Sequence, residues 1–548
     1  MLGQSKLKFA FRCGDDILTA TASRDEAEFT CEYSENGYKL WVLAHKDIIP
    51  LICELRYKYP YPSGSTVFAG GYQSWTHTRE YGEKDVQKGL RLPVRYGVAR
   101  KYASVFGDYD FAKYSMKEGD CHSFYYTYVR SEDEFTFAGS LDESRGYTVF
   151  YHSRDRKEMR VVKDLEGLVI RAGERYKLFD LCFLKGTKDE VFDGYFDRLG
   201  IEKPREKKMC GYTSWYNLFG KIDETSVMRD LDGLAKADLG ATVFQIDDGY
   251  QAAVGDWLET DSEKFPSGMK KLCDEIHARG FKAGLWLAPY LCAKKSRVAA
   301  EHPDWLLKKD GRPVTGNVGW GGAYVLDSTL SEVNEYLAKV FDVVLGEWGY
   351  DMVKLDFLYA AALFPKDGKT RGELMTNAMK FLRARVGKKL LLGCGVPLFP
   401  AFGTCDFCRV GSDVDLNFRE RLFSRFTNNE IVSTYNAMTS SAFRHHLDGR
   451  AFTCDPDVFF LRDNNIKFTQ GQKELLAIFN SLVGGVLFVS DNAGDYDENK
   501  KEIARRCFAR DARVADVRYC AKDVINIVYE EEGEVGELKF NVRTGKVF

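Results

Sequence analysis

Lys354 and Asp356 stand two residues apart near the end of a short, mostly apolar run within residues 349–360. In a strand, the period of two puts this ammonium and carboxylate on one face. Such a pair is either a structural ion pair or a device that keeps a carboxylate ionised at the carboxyl end of a strand, where barrel enzymes carry their chemistry. A lone Asp at a strand end more often caps the next helix, so the reading depends on what the other strand ends supply.

They supply more carboxylates and aromatic rings. The other strand-like runs after residue 200 end in or abut Trp215-Tyr216, Asp247-Asp248-Gly249-Tyr250, Trp286, Cys394-Gly395, Arg409 with Asp413 following, Cys454-Asp455-Pro456-Asp457, and Asp491-Asn492. Each has a bland explanation in capping, core packing or ion pairing. The coincidence across eight ends does not, and if the strands close into a barrel all of them share one mouth.

The elements that must position these residues follow from the patterning. Residues 1–200 read as short alternating strands (28–33, 38–43, 123–129, 135–138, 147–151, 168–171, 176–183) separated by turn signals, an antiparallel β-sandwich domain. The polar stretch 200–208 reads as a linker. Residues 201–498 alternate strands (210–216, 241–246, 281–288, 352–357, 390–394, 408–410, 452–461, 486–489) with helical stripes, as a (β/α)8 barrel requires. One stripe runs through Val333, Leu337, Val340, Phe341, Val344 and Leu345, with Thr329 and Glu332 spaced as a capping box. Another runs through Met269, Leu272, Cys273 and Ile276, with Gly280 beyond its end. Residues 499–548 read as a small C-terminal β domain. No glycine-rich phosphate loop follows the first strand, which argues against an open dinucleotide-binding sheet.

Composition narrows the class. Lys+Arg 78 against Asp+Glu 81 leaves no basic field for nucleic acid or an anionic membrane. No apolar run approaches a membrane span and no signal-type segment opens the chain, which reads as a cytoplasmic protein. The 14 cysteines are scattered, several inside apolar runs, as suits reduced thiols; Cys405 and Cys408 form one CxxC with no second pair, a poor metal site. With 8 His in the chain and none at the strand ends above, neither a His-based metal centre nor a Ser-His-Asp triad is expected there, and no cofactor is called for. His445-His446 lies in a helix-like segment and reads as structural. Carboxylates beside Trp faces remain, the combination used to cleave glycosides. Asp356, favoured as the anion by Lys354, suits attack on an anomeric carbon. Asp413, on the loop after strand six, suits a proton donor if its pocket is partly desolvated.

In order, Trp215-Tyr216, Phe244-Gln-Ile-Asp-Asp248, Gly255-Asp-Trp257, Gly284-Leu-Trp-Leu-Ala-Pro289, His302-Pro-Asp-Trp305, Lys354-Leu-Asp-Phe357, Gly393-Cys-Gly395, Arg409-Val-Gly-Ser-Asp413 and Asp455-Pro-Asp457 resemble the motifs of glycoside hydrolase family 36, the shorter bacterial alpha-galactosidases in particular. The resemblance implies a retaining double displacement with Asp356 as nucleophile and Asp413 as general acid/base. It implies that Asp247 and Asp248 bind the 4- and 6-hydroxyls of galactose and that Lys354, Trp286, Cys394, Gly395 and Arg409 line the same sugar, the last three near its 2-hydroxyl; Trp215, in the first motif, is a further substrate-binding candidate. It further implies that Gly71-Tyr-Gln-Ser-Trp75 lends Trp75 to the site from the N-terminal domain; without the resemblance, Trp75 reads as sandwich core. Two stretches depart from the family pattern, Gly70-Gly71-Tyr72 and the glycine-rich Gly316-Asn-Val-Gly-Trp-Gly-Gly322, and both bear on the leaving-group side. Use of the same barrel as an alpha-N-acetylgalactosaminidase or a galactosyl transferase stays open. So does a different class, a Schiff-base lyase with Lys354 as the amine. The carbohydrate partner follows from the resemblance; oligomeric state does not.

Overall fold

The computed structural model of the chain describes residues 5–90, 100, 107–419 and 432–548. Its largest sheet is parallel and closes on itself. Strands one to six are Met209–Thr213, Val243–Ile246, Lys282–Leu287, Met352–Leu355, Leu390–Gly393 and Phe407–Arg409, each paired with the next. Strand seven comes in two pieces. Thr453–Asp455 pairs with strand six, and Val458–Phe459 pairs with strand eight, Val486–Val489, which pairs in turn with strand one. The break falls at Pro456, which has no N–H to give a ladder, and at Asp457, whose φ of 80° is left-handed. Each barrel strand overlaps a run expected from the sequence, but the run at 452–461 is broken into two short pieces and the run at 210–216 gives way to a helical turn at Trp215.

A helix follows each strand: Glu224–Ala237, Gly268–Ala278, Ser331–Phe341, Arg371–Val386, the single turn Leu398–Ala401, Thr434–Arg444, Gln470–Val483 and Glu498–Ala509. Their apolar stripes face the sheet; Met269, Leu272, Cys273 and Ile276 are all buried. Gly280 sits past the end of that helix at φ 85°, its N–H on the His277 carbonyl, as its position in the sequence suggests. The capping box expected at Thr329 and Glu332 does not form. Leu330 is the N-cap, and the Thr329 hydroxyl instead donates to Asp327 at 2.7 Å. The same helix ends at Phe341 and continues as a wider π turn through Glu347.

Before the barrel, two antiparallel sheets of six and seven strands lie face to face over a shared core in which Phe9, Leu55 and Val161 of one meet Leu40, Phe179 and Leu181 of the other. The run expected as one strand at 123–129 is two, Asp120–Phe124 and Tyr126–Ser131, which belong to different sheets; Tyr125, at φ 68°, makes the crossing. The expected strand at 168–171 contributes only a bridge, Ile48 to Ile170. After the last helix, Ala512–Ala521, Val524–Glu531, Glu534–Asn541 and Lys546–Val547 form a four-stranded antiparallel sheet.

One feature of the sandwich matters for the site. Between Thr66–Ala69 and Arg79–Tyr81 the chain leaves its sheet and enters the barrel mouth. Ser74 N–H donates to the Val396 carbonyl at 3.0 Å. Arg444, fully buried, donates to the carbonyls of Ser74 (2.7 Å), Gln73 (3.0 Å) and Val410 (2.8 Å), which ties this excursion to the helix after strand six. Burial pushes that guanidinium down to about 10, so the carbonyls carry most of its solvation. Among the described residues, no helix is long and apolar enough to cross a membrane.

Candidate active site

Asp356 follows the last residue of strand four and is buried. Its Oδ2 accepts the indole N–H of Trp286, on strand three, at 3.1 Å, and its Oδ1 accepts the Phe357 N–H at 2.8 Å. Phe357 takes a left-handed φ of 53° to make that second bond, a strained backbone at the point where the strand turns into its loop. Burial pushes the Asp356 carboxyl above the ordinary range; the Lys354 charge opposes this, Asp413 adds to it, and the donors Trp286 and Cys394 pull back. The carboxylates of Asp356 and Asp413 thus sense each other across the mouth. Cys394 is fully buried, and burial followed by repulsion from Asp356 holds it as a neutral thiol.

Lys354 is not the direct partner of Asp356. Its Nζ reaches over strand three to Asp247 Oδ2 at 2.8 Å, with the two side chains 8% and 3% exposed. Asp247 Oδ2 also accepts Gln245 Nε2 at 2.7 Å, and its Oδ1 accepts the Asp248 N–H at 2.9 Å. Burial alone lowers the affinity of the amine for its proton, but Asp247 and then Asp356 more than offset this and raise it. The shared strand face therefore reads correctly from sequence while the ion pair does not, because the long lysine side chain spans past strand three to the end of strand two.

Asp248 accepts from Gln251 at 2.5 Å and from Trp320 Nε1 at 2.8 Å, and burial raises its carboxyl. Trp320 belongs to the glycine-rich loop that departs from the family pattern. It sits at φ 57°, and its ring lies 6.2 Å from Trp286 and 5.3 Å from Phe357. Phe357 meets Trp75 edge-on at 5.3 Å. Gly395 is the floor beneath Trp75: at φ 55°, a Cβ there would stand 2.6 Å from the indole, so only glycine fits. Trp75 is accordingly buried between the N-terminal excursion and the barrel, and not within the sandwich.

On the far side, Arg409 from strand six divides its guanidinium among three carboxylates. Nε lies 2.9 Å from Asp455, Nη1 2.8 Å from Asp413 and Nη2 2.7 Å from Asp457. Asp457 also accepts the Tyr216 hydroxyl and the Val414 N–H.

The strand-end residues divide into two groups. Trp75, Asp247, Asp248, Trp286, Lys354, Asp356, Cys394, Gly395, Arg409 and Asp413 come together around the mouth. Trp215 stands at the start of the turn after strand one, half-buried, with its ring edge-on to Phe219 at 5.2 Å. Asp491 pairs with Arg462 at 2.6 Å and Asn492 caps the following turn, so the end of strand eight is structural. Asp256 accepts the N–H groups of Arg297 and Val298 at a helix start, and Trp257 braces Trp286 at 5.7 Å. His446 stacks on Phe192 at 4.0 Å and is structural too. The sequence points to Asp457 only as one of the strand-end carboxylates and to Trp320 only as part of a glycine-rich loop, and assigns neither a contact in the site. The glycines flanking Trp320 signal a loop free to fold inward, and the Asp-Pro-Asp spacing signals a strand break at the mouth. Among the described residues, no group of three or more His, Cys, Asp or Glu side chains is placed to hold a metal.

A (β/α)8 barrel whose mouth gathers carboxylates, Trp rings and two cations is the architecture of a glycoside hydrolase. Residues 212–371 match the Melibiase family model. The alpha-galactosidase of Escherichia coli is 32% identical over 186 residues, 32% of this chain and 25% of that one. Alpha-galactosidase AgaA of Geobacillus stearothermophilus is 28% identical over 182 residues, 32% of this chain and 24% of its own. The matches span about a quarter of the length of these curated relatives. Among solved structures, the alpha-galactosidase TtGalA from Thermus thermophilus, in complex with p-nitrophenyl alpha-D-galactopyranoside, superposes with a TM-score of 0.72 at 27% identity, covering 96% of this chain and 98% of that one. The family 36 enzyme AgaA superposes at 0.63 with 12% identity, covering 97% and 81%, a likeness of fold. Residues 212–371 thus resemble the Melibiase family, and the fold of the whole chain is similar to that of the alpha-galactosidases TtGalA and AgaA.

Proposed function

We propose that the protein is a retaining alpha-galactosidase that removes terminal alpha-linked galactose from small galacto-oligosaccharides. The observation that carries the reading is the setting of Asp356, a buried strand-end carboxylate oriented through both oxygens by Trp286 and Phe357, with Asp413 facing it. In the first step Asp356 attacks the anomeric carbon while Asp413 passes its proton to the leaving oxygen, and the glycosidic bond breaks. In the second, Asp413 takes a proton from water, the water oxygen bonds to the anomeric carbon, and Asp356 is released. Asp247 and Asp248 accept from the 4- and 6-hydroxyls, Lys354 holds Asp247 in place, and Trp75, Trp215 and Trp286 give the sugar flat apolar faces. Cys394, Gly395 and Arg409 line its 2-hydroxyl side.

Two solved structures of TtGalA hold p-nitrophenyl alpha-galactoside and stachyose, galactosides of the class assigned here. A cytoplasmic site of action fits reduced, scattered cysteines. Lys354 argues against the Schiff-base alternative, because a nucleophilic amine needs its proton affinity lowered and Asp247 raises it. The test is the initial rate of the wild type on aryl alpha-galactoside beside the alpha-N-acetylgalactosaminide and the alpha-glucoside. Preference for the galactoside supports the reading; no cleavage of any alpha-glycoside by folded protein overturns it.

A further inference from the structure

Arg409 carries one charge against three carboxylates, and they are unequally placed. The Asp413 side chain is 32% exposed at the mouth, whereas Asp455 and Asp457 are 3% and 0% exposed behind it. Asp457 is held in a backbone conformation that costs energy for a residue other than glycine, at the break in strand seven, and both of its oxygens are directed: one to Arg409, the other to the Tyr216 hydroxyl and to the N–H of Val414, the residue after Asp413. A strained, fully buried carboxylate on the guanidinium that also holds the proposed acid/base is more than helix capping or core filling requires.

We propose that Asp457 is a positioning residue for Asp413: as an anion it draws Arg409 away from Asp413 and repels its carboxylate, so that Asp413 keeps the proton it must hand to the leaving oxygen. This rests on the assignment of Asp413 under the proposed function. The charged and titratable groups facing Asp457 are Arg409 from strand six, Asp413 from the loop after it, Asp455 from strand seven and Tyr216 from the turn after strand one. Burial pushes Asp457 up to about 7, with Arg409 opposing and Asp413 and Asp455 adding to the rise. Its charge therefore changes across the neutral range.

The sign follows. Removing the Asp457 charge takes a like charge away from Asp413 and frees Arg409 to pair with it, so the alkaline limb of kcat/KM moves to lower pH. The experiment is the pH profile of kcat/KM for wild type, Asp457→Asn, Asp457→Glu and Tyr216→Phe, on a disaccharide alpha-galactoside and on an aryl alpha-galactoside. Asparagine tolerates the left-handed backbone and still accepts from Tyr216 and Val414. The expected result is a lowered alkaline limb for Asp457→Asn on the disaccharide, little movement on the aryl substrate, whose leaving group needs no proton, and recovery in Asp457→Glu. Tyr216→Phe, which removes a donor that stabilises the Asp457 anion, moves the limb the same way by less, and it decides the matter if Asp457→Asn does not fold. An unmoved limb in folded Asp457→Asn, an unmoved limb in Tyr216→Phe where the former is unfolded, or an equal shift in Asp457→Glu overturns the proposal. A wild type inactive on both substrates overturns instead the assignment on which it rests.

Discussion

Lys354 gives its ammonium to Asp247, 2.8 Å away across strand three, and not to Asp356 on its own strand. Both partners are buried, so neither charge has water to fall back on. Lys354→Met leaves the Asp247 carboxylate with only neutral donors, Gln245 and the Asp248 N–H, near it and is expected to cost about 3–5 kcal/mol of stability, the usual penalty for orphaning one member of a buried pair. Urea unfolding of the single variant, and of the double variant Lys354→Met/Asp247→Leu, checks this: the double variant recovers part of the loss if the penalty is the orphaned charge.

That pair also shows how far the sequence could be read. Strand periodicity placed Lys354 and Asp356 on one face, and alternation located all eight barrel strands, because both depend on local pattern alone. The choice of ion-pair partner depends on which strand end lies within reach of a lysine side chain, and that is fixed by closure of the barrel. Trp320 went unnoticed for a related reason. Its loop is legible as glycine-rich, but whether such a loop folds inward to Asp248 is decided by tertiary contacts with Trp286 and Phe357. Trp75 was legible only through the family resemblance, since an apolar ring between two strands of a sandwich is core by any local rule.

Trp286 stabilises the anion of Asp356 with one hydrogen bond. Trp286→Phe keeps a ring and removes the donor, so the Asp356 carboxyl, already raised by burial, rises further. With Asp356 as the proposed nucleophile, the acidic limb of kcat/KM reports its ionised form and is expected to move to higher pH. A pH profile on aryl alpha-galactoside reads the shift; a limb that stays in place or moves to lower pH contradicts the role given to this bond.

Gly395→Ala puts a methyl group 2.6 Å from the Trp75 indole and asks a residue with a Cβ to hold φ 55°. The backbone term alone costs about 1–2 kcal/mol, and the indole must move. The expected outcome is a folded enzyme with a raised KM for galactosides and a changed tryptophan emission, measured by steady-state kinetics and fluorescence. Unchanged KM in the folded variant removes Trp75 from the sugar site.

The proposed function depends most on Asp356 as the nucleophile of an alpha-galactosidase. The most direct measurement is the initial rate on p-nitrophenyl alpha-D-galactoside for wild type and Asp356→Asn, side by side, with thermal melting to show that both are folded. The expected result is turnover by the wild type and a loss of at least about 10³-fold in the variant, as for removal of an essential nucleophile. A folded Asp356→Asn that hydrolyses the substrate at a rate comparable with the wild type contradicts the account.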